Sequence, residues 1–397
     1  MSKHRIVKQT LKAILGLQRN PNGRAARLVS HTRRALEEDK FYRALKNRSR
    51  FEQAIDVDIR TQADYLITTD KGVFLLSGGK LRLAFPFATF GISAIGDTIY
   101  IASGVLNRNF ILSGNLAAFL REGMHYDFQI MYEARERSFD GRIHQIHADP
   151  SENAILIAET ARNIIAKIDA TSGKYLQEFV PFVDQVGEPL RSDHNHINSV
   201  STYGAVTLMI AQKYQQTRSL FCVLKGNKIS GFHFKHYGAH DIFLHQGHTL
   251  YCDTFGSHID SNSPGGSLYF AGHGVDEAFF NRHPGYMPRG LAGTSGEILL
   301  GHSMVSKRAE RFVGQGGPIL LRDFAVSSFV PTPFAQIYDI MRADGQKFDD
   351  QANEHAGDGL EEMMEREVGP AAFRDRELTV YDQPHLPSVI LPGKRIP

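Results

Sequence analysis

Residues 196–212 read HINSVSTYGAVTLMIAQ. A histidine lead-in is followed by a short run, a Tyr-Gly turn and an apolar strand. The unit recurs as FGISAIGDTIYIASG at 90–104, IHADPSENAILIAET at 146–160, HDIFLHQGHTLYCDT at 240–254 and GLAGTSGEILLGHS at 290–303. Each copy holds two β-like runs around a turn rich in Gly, Asn, Asp or Ser. Aligning the lead-ins makes His147, His196, His240 and Arg289 equivalent, at spacings of 49, 44 and 49 residues. A period of about 45 residues is the size of a four-stranded propeller blade. The region 51–335 is therefore read as an all-β, six-bladed β-propeller, with its first blade the most divergent. The HNH at 194–196 also suits the first metal-binding strand of a cupin-like barrel. That fold needs a nearby Glu and a later His inside a much shorter barrel, and the repeat favours the propeller.

The flanks differ in character. Residues 1–50 carry fourteen Lys and Arg against Glu37, Glu38 and Asp39. IVKQTLKAILGL and ARLVSHTRRALEEDKFYRALKNR space their apolar residues near the helical period. A basic helical arm is expected there, packed on a partner subunit or touching an anionic membrane surface. Residues 336–397 form an acidic C-terminal extension, helical and extended in turn. PFAQIYDIM (333–341) and GLEEMMEREVG (359–369) read as short helices. ELTVYD (377–382) or DFAVSSFV (323–330) is the strand expected to close the ring.

The chain has 397 residues and a net charge of +2, which argues against a dedicated nucleic-acid binder. It has no apolar run long enough for a transmembrane helix. No signal peptide is recognised. Two cysteines, Cys222 and Cys252, make no disulfide framework. They lie in apolar strands, where thiols are inert. A cytoplasmic location is the simplest expectation.

Inner strands of a propeller line its channel, so equivalent positions form a ring there. His147, His196 and His240 are expected to hold a divalent transition metal, Fe, Zn or Cu, with an open coordination position. Such an ion activates water or polarises a carbonyl. Arg289 is expected to grip a carboxylate or phosphate of a small polar or anionic substrate. His194 is the candidate general base. Asp193 and Asp241 are candidate acceptors that orient imidazoles, and Asn198 a substrate contact or turn cap. His144 is read as a surface or loop residue. Glu159, Lys213, Asp253 and His302 form a possible second ring, with His302 a catalytic candidate. Ser303 lacks the G-x-S-x-G context of a serine hydrolase. Hydrolase, lyase/isomerase and oxygenase chemistry remain open. The alternative is a non-catalytic propeller that binds a glycan or a protein partner.

HNHINSV (194–200), GAHDIFLHQGHTLYCDT (238–254) and RGLAGTSGEILLGHSMVSKR (289–308) occur in that order. Together they resemble a bacterial domain-of-unknown-function family with a predicted propeller fold. The resemblance spans roughly residues 140–325 and implies the fold and the residue set, with no activity attached. GAHD stands where the pattern has a Pro-His-Ser-like turn, which leaves the role of Asp241 open. At the level of fold the chain is also similar to metal-dependent lactonase propellers and to carotenoid-cleaving oxygenases, but it matches neither motif set.

Overall fold

The structure, a computed structural model, describes most of residues 54–381; besides the two ends, the longest stretches it does not describe are 135–142, 184–189, 262–285, 305–315 and 349–359. The basic arm expected at 1–50 lies outside the described residues, as does most of the helix expected at 359–369. Gln53–Pro397 is one compact unit.

This unit is an all-β propeller. Its inner strands are Thr89–Ile95, Ile143–Asp149, Ile197–Tyr203, Ala239–His245, Tyr286–Gly293 and Ile337–Arg342, and each contacts the next until the last meets the first. Each inner strand begins an antiparallel sheet that runs outward. Five of these sheets have the four or more strands of a full blade. The sheet of Ala239–His245, His248–Asp253 and His258–Ser261 has three among the described residues. The expectation of six four-stranded blades is thus corrected to five complete ones.

The sequence is apolar on both sides of the middle strands because each sheet is covered on both faces. In AILIAE, Ala154–Glu159, Ile155 and Ile157 pack with Tyr100, Ala102 and Ile111 of the preceding sheet. Leu156 and Ala158 pack with Val200, Met209 and Cys222 of the following one. Successive side chains on a strand point to opposite faces, so one strand feeds two cores.

Ring closure comes from an unexpected segment. Ile337–Arg342 pairs with Tyr65–Thr69 and is the inner strand of the first sheet. PFAQIYDIM was expected to be helical because Ile337, Ile340 and Met341 fit the helical period. All three are buried, at 0% exposure, because a central strand buries both faces. Of the two expected closing strands, Ala325–Phe329 is the outer strand of its own sheet. Thr379–Tyr381 instead pairs with the outer strand Tyr175–Val180, and Ala371–Glu377 covers the outer strand Lys228–His233. The tail therefore caps two sheet edges, which otherwise expose unpaired backbone groups.

The inner strands have only one sheet partner, and their free-edge N–H groups need acceptors. Side chains from the preceding sheet supply them. Ile92 N donates to Asp339 Oδ2 (3.1 Å), Ala148 N to Ser93 Oγ (3.0 Å) and Val200 N to Gln145 Oε1 (2.9 Å). Asp241 N donates to Ser199 Oγ (2.7 Å) and Gly290 N to Asp241 Oδ2 (2.9 Å). At the remaining joint Ile337 N donates to Ser303 Oγ (2.8 Å), whose hydroxyl donates to Ile337 O (2.9 Å). Ser303 is thereby a joint between sheets.

Candidate functional site

The joints give a structural alignment of the inner strands. Gln145, Ser199 and Asp241 perform the same task, so the residues just before them, His144, Asn198 and His240, are equivalent. Gly290 takes the place of Asp241, which puts Arg289 level with His240. The repeat read from the sequence placed His147, three residues later, in this ring. The inner strand Ile143–Asp149 departs from regular pairing between Ile143 and Ile146, opposite Glu159 and Ile157. That irregularity is invisible in the repeat, and it brings His144 into the position expected for His147.

The structure brings His144, His196, His240 and Arg289 together at the N-terminal end of the inner strands. The His144 ring lies 4.8 Å from that of His196 and 6.0 Å from that of His240, centroid to centroid. His196 precedes its strand with a φ of 53°, in the left-handed region, where non-glycine residues are uncommon. His240 is buried, and its Nε2 lies 3.0 Å from Arg289 Nη2 and 3.1 Å from Gln212 Nε2. A guanidinium only donates, so His240 Nε2 is the acceptor and carries no proton in this arrangement. Gln212 was missed from the sequence. Its signal is a lone amide ending the apolar run VTLMIAQ.

Beneath this cluster lies a buried ionic group. Burial pushes the Asp241 carboxyl up to about 7, with repulsion from Asp339 added; the Gly290 N–H, Arg289 and Lys347 oppose the rise. Burial also raises the Asp339 carboxyl and lowers the Lys347 ammonium, while their mutual attraction opposes both shifts. Lys347 Nζ donates to Asp339 Oδ1 and to the Ile340 carbonyl. Asp241, expected to orient an imidazole, instead holds the Gly290 backbone.

The other expected site residues lie elsewhere. His147 faces a cavity toward the other end of the channel, and its ring lies 6.3 Å from that of Tyr203. Burial pulls its pKa down to about 4. His194, the expected base, is exposed. His302 is fully buried on the second strand of its sheet, edge-on to Phe329 at 5.8 Å. Glu159 belongs to a buried cluster in which Arg162 binds both Glu159 and Glu178, while Tyr132 and Tyr175 donate to the carboxylates. Asn198 donates to the Ala239 carbonyl (2.9 Å), a structural contact to the next sheet. Asp193 lies outside the described residues.

Among the described residues, no group of three or more His, Cys, Asp or Glu side chains is arranged to hold a metal ion. The local reason is visible at His240, where the Nε2 lone pair that a metal would use is engaged by Arg289. Among the described residues, no helix is long and apolar enough to cross a membrane.

No family model matches the chain, and no curated protein matches it. The fold is the propeller that the resemblance implied. Solved structures are similar at low identity. A chain of a nidogen/laminin complex aligns with a TM-score of 0.48 and 9% identity, over 72% of this chain and 99% of that one. A protein of unknown function from Bacteroides caccae gives 0.42 and 11%, over 71% and 99%. A hypothetical selenium-binding protein from Sulfolobus tokodaii gives 0.43 and 10%, over 73% and 95%.

Proposed function

We propose that this propeller binds a small anionic or polar ligand at the end of its channel marked by His144, His196, His240, Arg289 and Gln212. The observation that carries this reading is the Arg289–His240–Gln212 contact, which gathers a guanidinium, an imidazole and an amide at one point. A guanidinium offers paired donors to a carboxylate or phosphate, and the neighbouring imidazoles can accept or pass a proton. The three-stranded sheet is the sixth blade in this reading, because its inner strand belongs to the closed circuit. A cytoplasmic location and a basic arm that meets a partner subunit or an anionic membrane surface belong to the same proposal.

Calorimetric titration with phosphate, citrate and short dicarboxylates tests it. Arg289→Met is expected to weaken binding of the responding anion by about tenfold or more, the scale of a lost charge-assisted hydrogen bond. Equal affinity in wild type and variant, with both folded, overturns the reading.

The second reading is a metal-dependent enzyme, favoured by the clustering of three histidine rings. His144 then stands in the place expected for His147, and the Arg289–His240 contact must open to free Nε2. Metal content of the purified protein, compared with a His144→Ala variant, decides it. Stoichiometric Fe, Zn or Cu lost in the variant supports it, and no metal in either removes it.

A further inference from the structure

The other end of the channel holds a cavity of about 640 Å3, within the size range of small-molecule sites. It lies beyond the C-terminal halves of the inner strands. There Asp149 and Tyr203 end their strands, and His147 and Phe243 stand three residues past His144 and His240. The segment Gly345–Phe348 supplies another wall.

The wall chemistry is mixed in a defined way. Asp149 Oδ1 is committed to its own turn, accepting from Ser151 N (2.9 Å), Ser151 Oγ (2.6 Å) and Glu152 N (3.4 Å). Among the described residues Oδ2 makes no such bond and remains as an acceptor. Burial pulls the His147 pKa down to about 4, so its ring is uncharged at neutral pH. A neutral imidazole carries one donor and one acceptor nitrogen. Lys347 is a donor whose charge is matched by Asp339. Its Nζ lies 5.4 Å from the Phe243 ring centroid. Phe243 and Phe348 stand 5.8 Å apart, centroid to centroid, and Tyr203 adds a third aromatic wall.

A strongly charged ligand finds both signs here and is favoured by neither. Donors and acceptors set among aromatic faces suit a molecule with many hydroxyls and an apolar C–H face. We propose that this cavity is a second ligand site, which takes a neutral polyhydroxylated molecule such as a mono- or disaccharide or a cyclic polyol. The site is independent of the anion site at the Arg289 end.

Saturation-transfer NMR and calorimetry on the full chain test this, with glucose, maltose and myo-inositol as probes and citrate and putrescine as charged controls. At least one neutral polyol is expected to bind. Asp149→Asn keeps the turn acceptor but replaces Oδ2 with a donor, and is expected to weaken that binding by about tenfold. Tyr203→Ala, at a partly buried position, is expected to weaken it as well and serves if the first variant does not fold. Arg289→Met is expected to leave it unchanged, which separates this site from the other. The proposal is overturned if no polyol gives a signal at saturating concentration, if only the charged controls bind, or if both cavity variants bind as wild type does.

Discussion

Gly290 donates its backbone N–H to Asp241 Oδ2, 2.9 Å away, across the joint between two sheets. The contact places Arg289 level with His240, and the two side chains meet at 3.0 Å. A backbone joint and a functional contact thus share neighbouring residues. The same carboxylate that aligns the strands is buried beside the candidate site.

The joint makes Gly290 difficult to replace. Its φ is +78°, and an added Cβ would stand 3.0 Å from backbone atoms of Asp339. Gly290→Ala is expected to cost roughly 1–3 kcal/mol, from the left-handed backbone and the close approach together. Urea unfolding measures it, and an unchanged midpoint at an unchanged slope refutes it.

Asp241 carries a pH dependence of definite sign. Its folded pKa of about 7 exceeds the usual aspartate value of 3.8. Between those values the folded state holds a proton that the unfolded state releases. Its stabilising contribution is full below the unfolded pKa and is lost as pH rises to about 7. Asp241→Asn retains an oxygen for the Gly290 N–H. It is expected to stabilise the protein above pH 7 by up to about 4 kcal/mol, three pK units at about 1.4 kcal/mol each. Unfolding curves at pH 5 and pH 8 measure the difference.

His147 has the opposite sign. Its folded pKa of about 4 lies below the usual 6.5, so its contribution is full above 6.5 and is lost as pH falls toward 4. The two slopes oppose each other across the overlapping window. His147→Gln is expected to leave stability that declines with rising pH there. Asp241→Asn is expected to leave stability that rises. Parallel shifts in both variants would contradict the two assignments.

The buried cluster around Arg162 gives a separate test. Arg162 bridges Glu159 and Glu178, and both glutamate side chains are 4% exposed. Arg162→Met strands two buried negative charges and is expected to cost about 3–5 kcal/mol. Adding Glu159→Gln and Glu178→Gln to it is expected to recover much of that loss. Thermal melts of the single and triple variants provide the measurement.

The sequence showed the propeller because its turns and apolar runs repeat, and a repeat survives small errors of register. It also singled out His196, His240 and Arg289, which the structure brings near one another around His144. It did not distinguish His144 from His147, since that choice depends on an irregularity in one strand. A lone Gln212 at the end of an apolar strand gave a signal that only a neighbour in space makes meaningful. His302 looked functional beside Ser303 in GHS, but its ring packs against Phe329 and the serine holds Ile337.

By itself, then, the sequence determined the class of fold, through local periodicity. Tertiary structure decided which segment closes the ring. Ile337, Ile340 and Met341 satisfy a helical spacing and a doubly buried strand equally well, and pairing with Tyr65–Thr69 selects the strand. Tertiary structure also decided which histidine joins His196 and His240. Distances across the channel depend on how each strand is registered against the next, and those joints are made by residues far apart in the chain.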